Sequence, residues 1–334
     1  MILVTGGTGL VGSHLLFELT TSEQKIRAIY RTKKSIEKVK TVFSYYTDNV
    51  DDQFNRIEWL EADLNNLPKL ADAFENITHV YHCAALISFD PKDYYKLRKT
   101  NVTGTANIVN LCVINAIEKL CYMSSVATLG FDPIKITEET TWNSEGNQSV
   151  YAMTKHEAEM EVWRGVQEGV PSVIVNPGVI LGPGFFDSGS GLLFKLVHKG
   201  LKYITNGVSG YVGVSDVVKS MLLLMHSSQK NERYIMVAEN LSFLDLTTLI
   251  SNAFKQPPTK KTATKWMLSI AWRWDWLKQK LTGGKRQLTK NLCKSLSIKN
   301  YYSSEKFLEE ESAFKFKPIS VLIPEVCHLF SEGL

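Results

Sequence analysis

Through the first half of the chain, short apolar runs alternate with longer stretches whose apolar residues recur at helical spacing. The runs fall at Met1–Val4, Lys25–Arg31, Arg56–Glu61, His79–His82, Lys119–Met123 and Ser172–Asn176. Helical patterns lie between them, as at Asn101–Asn115 and Tyr151–Gln167. Alternation of this kind predicts an α/β fold, a Rossmann-type doubly wound parallel sheet covered on both faces. After Pro177 the pattern loosens, and Arg233 to Val237 reads as a strand returning to the main sheet. The expected organisation is therefore interleaved. Residues 1–176 form a nucleotide domain to which 213–238 returns, and 177–212 with 239–334 form a smaller, mostly helical substrate region.

The first apolar run breaks into a glycine-rich turn, MILVTGGTGLVGSH, with Gly6, Gly9 and Gly12 three residues apart. Strand, tight turn and helix, closed by a second strand within about thirty residues, is the context that a dinucleotide-binding βαβ unit requires. Glycine tolerates positive φ and lets the backbone approach a pyrophosphate. The amides opening the helix, at Gly9, Leu10, Val11 and Gly12, then point at the phosphates.

The second strand ends at Tyr30-Arg31, followed by Thr32, Lys33 and Lys34, with no acid between Lys25 and Ile36. An NAD-selective site places a carboxylate near this point for the ribose 2′-hydroxyl. Arg31 offers instead a planar fork suited to a 2′-phosphate, so NADP(H) is the preferred cofactor, with NAD(H) as the other possibility.

At the end of the fifth predicted strand stand Ser124 and Ser125, and twenty-six residues beyond Ser125 comes Tyr151-Ala152-Met153-Thr154-Lys155. Residues four apart share a helix face, so Tyr151 and Lys155 project together. A phenol has an unperturbed pKa near 10, and a neighbouring ammonium is expected to make it a better acid. A serine hydroxyl would orient a substrate carbonyl beside it. Tyr-x-x-x-Lys occurs four times, at Tyr30/Lys34, Tyr95/Lys99, Tyr151/Lys155 and Tyr302/Lys306. Only the third opens a long helix just after a strand ending in serines.

Taken together these motifs resemble the extended short-chain dehydrogenase/reductase superfamily. Added to them are Asp63-Leu64 and Ala84-Ala85, matching the family's adenine-side elements, and Asn101-Val102-x-Gly104-Thr105, which ties the active-site backbone together in the family or simply caps a helix. The segments Tyr151-x-x-x-Lys155-x-x-Ala158-Glu159-x-x-x-Trp163 and Val175-Asn176-Pro177-x-x-x-Leu181-Gly182-Pro183 narrow the likeness to the branch of dihydroflavonol 4-reductase, cinnamoyl-CoA reductase and 3β-hydroxysteroid dehydrogenases. The resemblance implies NADPH-dependent reduction of a small-molecule aldehyde or ketone, with Ser125 favoured over Ser124, Tyr151 as general acid, Lys155 also holding the ribose, and Pro177 near the nicotinamide. It also implies a homodimer as one assembly. A nucleotide-sugar epimerase or dehydratase retaining tightly bound NAD shares the fold and triad, and Asn176 and Arg233 keep that alternative open. A non-catalytic dinucleotide sensor is the third reading, disfavoured by the intact triad.

Composition narrows the picture only modestly. A net charge of +4 suits an anionic ligand and does not indicate nucleic-acid binding. Five cysteines without a Cys-x-x-Cys pair read as free thiols in a reducing compartment, with no metal site. No apolar stretch is long enough to span a bilayer, and the glycine-broken N-terminus lacks the basic start of a signal peptide, so a cytoplasmic location is expected. His82 reads as a hydrogen-bonded structural histidine. The most individual stretch is Trp266 to Leu281, which holds four of the seven tryptophans. It reads as a core-packing helix, with substrate lid, dimer face and membrane-surface helix as alternatives. Gly283 to Arg286 after it reads as a flexible basic turn.

Overall fold

Seven parallel strands make the main sheet, and the glycine-rich turn lies where their order reverses. The computed structural model describes residues 1–333 except 145, 147, 260, 283–288, 291, 292, 294 and 295; the expected turn at Gly283–Arg286 lies outside the described residues. The first part of the chain runs β1 (Ile2–Thr5), α1 (Leu10–Thr20), β2 (Ile26–Tyr30), α2 (Lys33–Phe43), α3 (Val50–Phe54), β3 (Ile57–Glu61), α4 (Leu67–Ala73) and β4 (His79–His82). It continues through α5 (Tyr94–Leu97), α6 (Gly104–Ile114), β5 (Lys119–Met123), α7 (Val150–Gln167) and β6 (Ser172–Pro177). Next come β7 (Val179–Leu181), α8 (Gly191–His198), β8 (Val208–Gly213), α9 (Val214–His226), β9 (Glu232–Met236) and β10 (Glu239–Ser242). The last described helices are α10 (Phe243–Ala253), α11 (Lys265–Thr282), α12 (Glu305–Glu310) and α13 (Ile319–Glu332).

The order across the main sheet is β3-β2-β1-β4-β5-β6-β9. Its strands read as continuous apolar runs because helices cover both faces, and β5 is buried at every position. Alternation sorts the two layers. Leu120 and Tyr122 of β5 pack with Ile108 and Val109 of α6 and Ala158 and Val162 of α7. Cys121 and Met123 pack on the opposite side with Leu15 and Leu16 of α1 and Val217 and Met221 of α9. Full burial of each such leucine or valine contributes about 1.5–3 kcal/mol. Lys119, at the buried start of β5, donates to the Leu224 and Ser227 carbonyls at 2.6 and 2.8 Å and so caps the end of α9.

The smaller region contains a sheet as well as helices, which the mostly helical expectation did not include. Its strands run β10-β8-β7, with β7 parallel and β10 antiparallel to β8. Glycines at both ends of Gly210-Tyr211-Val212-Gly213 hid the strand character of β8. Phe194 of α8, Leu246 and Ile250 of α10, and Leu322, Ile323 and Val326 of α13 form the core beneath these strands.

Helix starts differ in a way that matters for the site. Ser149 caps α7 by accepting from the Ala152 amide at 3.1 Å, and Ser242 caps α10 in the same way from Asp245 at 3.0 Å. The α1 helix begins at Gly9, which has no side chain to cap it. Its first amides are left for something else.

Candidate active site

The turn after β1 is pressed against the chain leaving β4. Gly6 has φ of +70°, and a Cβ there would lie 2.5 Å from the Ala84 nitrogen. A Cβ at Gly12 would lie 2.2 Å from the Gly6 carbonyl oxygen, so α1 closes directly on the turn. Gly9 is open by comparison, with its nearest neighbour at 3.4 Å. The result is a backbone cradle in front of the uncapped start of α1, where Leu10 and Val11 stand. Positive helix-dipole charge and free amides suit it to a pyrophosphate.

The other expected nucleotide contacts follow or end strands of the same sheet. Arg31, just past β2, is exposed and has no hydrogen-bond or ion-pair partner among the described residues. Asp63, past β3 and half-buried, uses one oxygen to hold the Asn65 backbone amide at 2.9 Å, a turn interaction. Leu64 is buried, and a Cβ at Gly104 would come within 2.9 Å of its Cδ1. Ala84 is half-buried and Ala85 exposed. Pro177 closes β6, beside β5 and β9 at the same carboxyl edge.

Ser125, Tyr151 and Lys155 meet at that edge. Ser125 follows β5 and stands beside the Tyr151 phenol, and its Oγ accepts from the Ala127 amide at 3.1 Å. Tyr151 lies in the first turn of α7, with the Phe89 ring edge-on at 5.7 Å. Lys155, one turn on, is 1% exposed. Its Nζ donates to Tyr122 Oη at 2.7 Å and to the Met123 carbonyl at 2.8 Å. Burial lowers the Lys155 pKa to about 7, against the opposing pull of Glu159 and Cys83.

The expected lowering of the phenol by the Lys155 ammonium is not there. Burial pushes Tyr151 up to about 12, with the Ser125 hydrogen bond acting downward. The ammonium is instead engaged by the end of β5. Tyr122, which sequence reasoning missed, is what holds it there. Its signal was periodicity: Tyr122 shares a strand face with Ser124, toward α7.

Behind the site lies a buried polar network that the sequence did not reveal. Glu159 is fully buried; one oxygen accepts from Ser124 at 2.5 Å, Thr128 at 2.8 Å and Asn176 at 2.9 Å, and the other from Arg233 at 3.1 Å. Ser124 is therefore spent on Glu159, and Ser125 is the serine beside the phenol. Glu159 shares the α7 face of Lys155 at four-residue spacing, the one clue available beforehand. Asn176 also reaches the Ser125 carbonyl at 3.2 Å, and Arg233 reaches the Glu138 carbonyl.

Asn101 does not cap a helix. It sits inside a π-turn, Arg98–Thr103, that runs on from α5 into α6. Its side chain accepts from the Leu86 amide at 2.7 Å and donates to the Leu86 carbonyl at 3.1 Å and Thr154 at 3.3 Å, tying the loop after β4 to α7. His82 is structural, as expected: it is fully buried between Thr5 at 2.5 Å and Thr105 at 3.0 Å, and burial lowers its pKa to about 3. Of the other Tyr-x-x-x-Lys pairs, Tyr95 is 83% exposed and Lys306 is paired with Glu232. Among the described residues no cysteine forms a disulfide.

The sequence matches the model of the NAD dependent epimerase/dehydratase family over residues 2–237. A Synechocystis protein named for dihydroflavonol 4-reductase is 28% identical over 80% of this chain and 77% of its own length. Cinnamoyl-CoA reductase 1 of Petunia hybrida is 24% identical over 77% of this chain and 78% of its own. Among solved structures, gox2253 superposes with a TM-score of 0.81 at 22% identity, covering 100% of this chain and 98% of its own. UDP-glucuronic acid 4-epimerase from Bacillus cereus, solved with UDP-glucuronic acid and NAD, gives 0.78 at 17% identity, covering 100% and 99%. These superpositions speak for the fold.

Proposed function

The chain belongs to the NAD dependent epimerase/dehydratase family, and on that footing we propose that it is an NADPH-dependent reductase of an aldehyde or ketone. It is an NAD(P)-dependent oxidoreductase-type enzyme; the cofactor preference and the reaction are the proposal. The Ser125 hydroxyl and the Tyr151 phenol side by side, with buried Lys155 one turn on, at the sheet edge next to a glycine cradle, are the observation that carries it.

The cradle fits a dinucleotide, because glycines at 6 and 12 let the turn, the chain after β4 and α1 close together without side chains, while Gly9 leaves the uncapped start of α1 open. The amides of Leu10 to Gly12 would hold the pyrophosphate, the Gly9 amide being taken by the Gly6 carbonyl at 3.0 Å, and Arg31 would hold the 2′-phosphate. Asp63, Leu64, Ala84 and Ala85 would flank the adenine, Asn101 would brace the active-site backbone, and Lys155 and Pro177 would lie toward the nicotinamide ribose and ring. A reduced nicotinamide supplies a hydride when bound there. Ser125 Oγ orients the carbonyl oxygen of the substrate, and Tyr151 Oη passes its proton to that oxygen, leaving a phenolate that solvent reprotonates. Lys155 is held one helical turn from Tyr151 by Tyr122 and the Met123 carbonyl. The Phe89 ring packs edge-on against the phenol.

The epimerase reading loses two of its supports. Asn176 and Arg233, residues that could recognise a nucleotide diphosphate, are engaged by Glu159 in the buried network. The exposed Arg31, with no acid between residues 25 and 36, also favours a phosphorylated ribose. A panel of aldehydes and ketones, followed by NADPH absorbance, is expected to reveal turnover. Conversion of UDP-sugars without added cofactor, and no NADPH consumption on any carbonyl, would reverse the choice.

A further inference from the structure

The catalytic site does not account for the stretch from Trp266 to Leu281, and the expected core packing is not what α11 does. At 3.6 residues per turn, Trp266, Ile270, Trp274, Leu277 and Leu281 fall within an arc of about 80° on one side of the helix. That side faces outward: Trp266, Trp274 and Leu281 are 73%, 66% and 79% exposed. The opposite side meets the protein, where the Leu268 carbonyl lies 4.0 Å from Cys293 Sγ.

Charge is arranged around this stripe. Arg273 and Lys280 border it on one side and Lys278 on the other, all exposed. Asp275, the single acid between residues 266 and 281, lies on the far side of the wheel. Lys280 Nζ lies 4.9 Å from the exposed Trp276 ring, a cation and an indole held together beside the stripe, while the Arg273 guanidinium lies 4.5 Å from the half-buried Trp272, which is on the protein side.

We infer that α11 docks the protein onto an anionic lipid surface, with the stripe sunk at the boundary between headgroups and acyl chains. An apolar face, cationic flanks and indoles at the edge are what an interfacial helix uses. A second copy of this face is a poorer occupant, since packing two together sets Arg273, Lys278 and Lys280 near one another's like charges. The helix lies on the bilayer and does not cross it: among the described residues no helix is long and apolar enough.

The docked helix stands beside the catalytic mouth. Lys92 Nζ donates to Gln279 Oε1 at 3.3 Å, and Lys92 shares the segment after β4 with Phe89, which touches Tyr151. Ile87, in the same segment, is 59% exposed. A lipophilic carbonyl compound would thus enter from the bilayer. This last clause rests on the proposed reductase site, whereas docking does not.

Flotation of the full chain with vesicles tests the proposal, using phosphatidylcholine alone and phosphatidylcholine mixed with phosphatidylglycerol. The protein is expected to float with the mixed vesicles and far less with the neutral ones. Trp266→Ser/Trp274→Ser/Leu281→Ser and, separately, Arg273→Glu/Lys280→Glu should each reduce recovery by about tenfold or more. NADPH binding by the same variants should be unchanged, which separates lost docking from lost fold. An enzyme that floats but reduces no carbonyl would end the reductase reading and leave docking intact. No flotation, or equal flotation of wild type and both variants, would overturn docking. So would a dimer abolished by the same triple substitution, which would assign the stripe to a second copy.

Discussion

The two halves of this protein commit their backbone and side chains differently. In the nucleotide half, the proposed cofactor site rests on backbone: Gly6 and Gly12 leave no room for a Cβ, and α1 starts uncapped. Around that cradle, polar side chains are buried and bonded, as in the Glu159 network and the Thr5–His82–Thr105 bridge. In the substrate half, α8, α10 and α13 pack a conventional core, but α11 turns its tryptophans outward. Shape-determined chemistry is locked in place on one side, and a surface available to other molecules lies on the other. The lesson is that stability and turnover should be sensitive in the first region and tolerant in the second.

Removing the proton donor should cost the most. Tyr151→Phe keeps the ring against Phe89 and loses the hydroxyl, so kcat should fall by about 10²- to 10⁴-fold with NADPH binding retained. Steady-state kinetics beside a cofactor titration checks both parts. Retained turnover would remove Tyr151 from the mechanism.

Breaking the network behind the site should unfold rather than merely slow the enzyme. Glu159→Ala strands the partly buried Arg233 and takes an acceptor from Ser124, Thr128 and Asn176, at a cost of about 3–5 kcal/mol. Urea denaturation measures it.

Acid should weaken the same half. The pKa values of His14 and His82 are lowered by burial to about 4 and about 3. Below pH 6.5 the unfolded chain takes up protons that the folded one refuses, so stability falls as pH drops from about 6.5 toward 4, by on the order of 3 kcal/mol for each such group. Melting temperature against pH should show that slope, and His82→Gln should flatten part of it.

The smallest effect belongs to α11. Trp274→Ser should change stability by less than about 0.5 kcal/mol, since the indole is mostly exposed already. A large loss on denaturation would mean that Trp274 packs against something and would erase the contrast.

This division also governs what could be read beforehand. Gly6, Gly9 and Gly12, Ser125, Tyr151 and Lys155 announce themselves because a turn, a strand end and a helix face impose residue type and spacing together. The first six strands of the main sheet were likewise visible as apolar runs. Glu159 and Tyr122 were not, since a buried carboxylate and a buried phenol acquire meaning only through partners distant in sequence, such as Arg233 for Glu159. Lys155 taught a further point: spacing put it on the face of Tyr151, yet Tyr122 and the Met123 carbonyl decide where its ammonium rests. The outward turn of α11 was open too, because its cations and tryptophans interleave and neither face is purely polar.

Cofactor choice is where the proposed function is most exposed to test. Purified protein titrated with NADPH and with NADH, by wild type and by Arg31→Ala, should give tighter NADPH binding that weakens by about 10- to 100-fold in the variant while NADH binding barely moves. Equal affinity for the two dinucleotides, or NADPH binding indifferent to Arg31, would contradict the NADPH-dependent reductase.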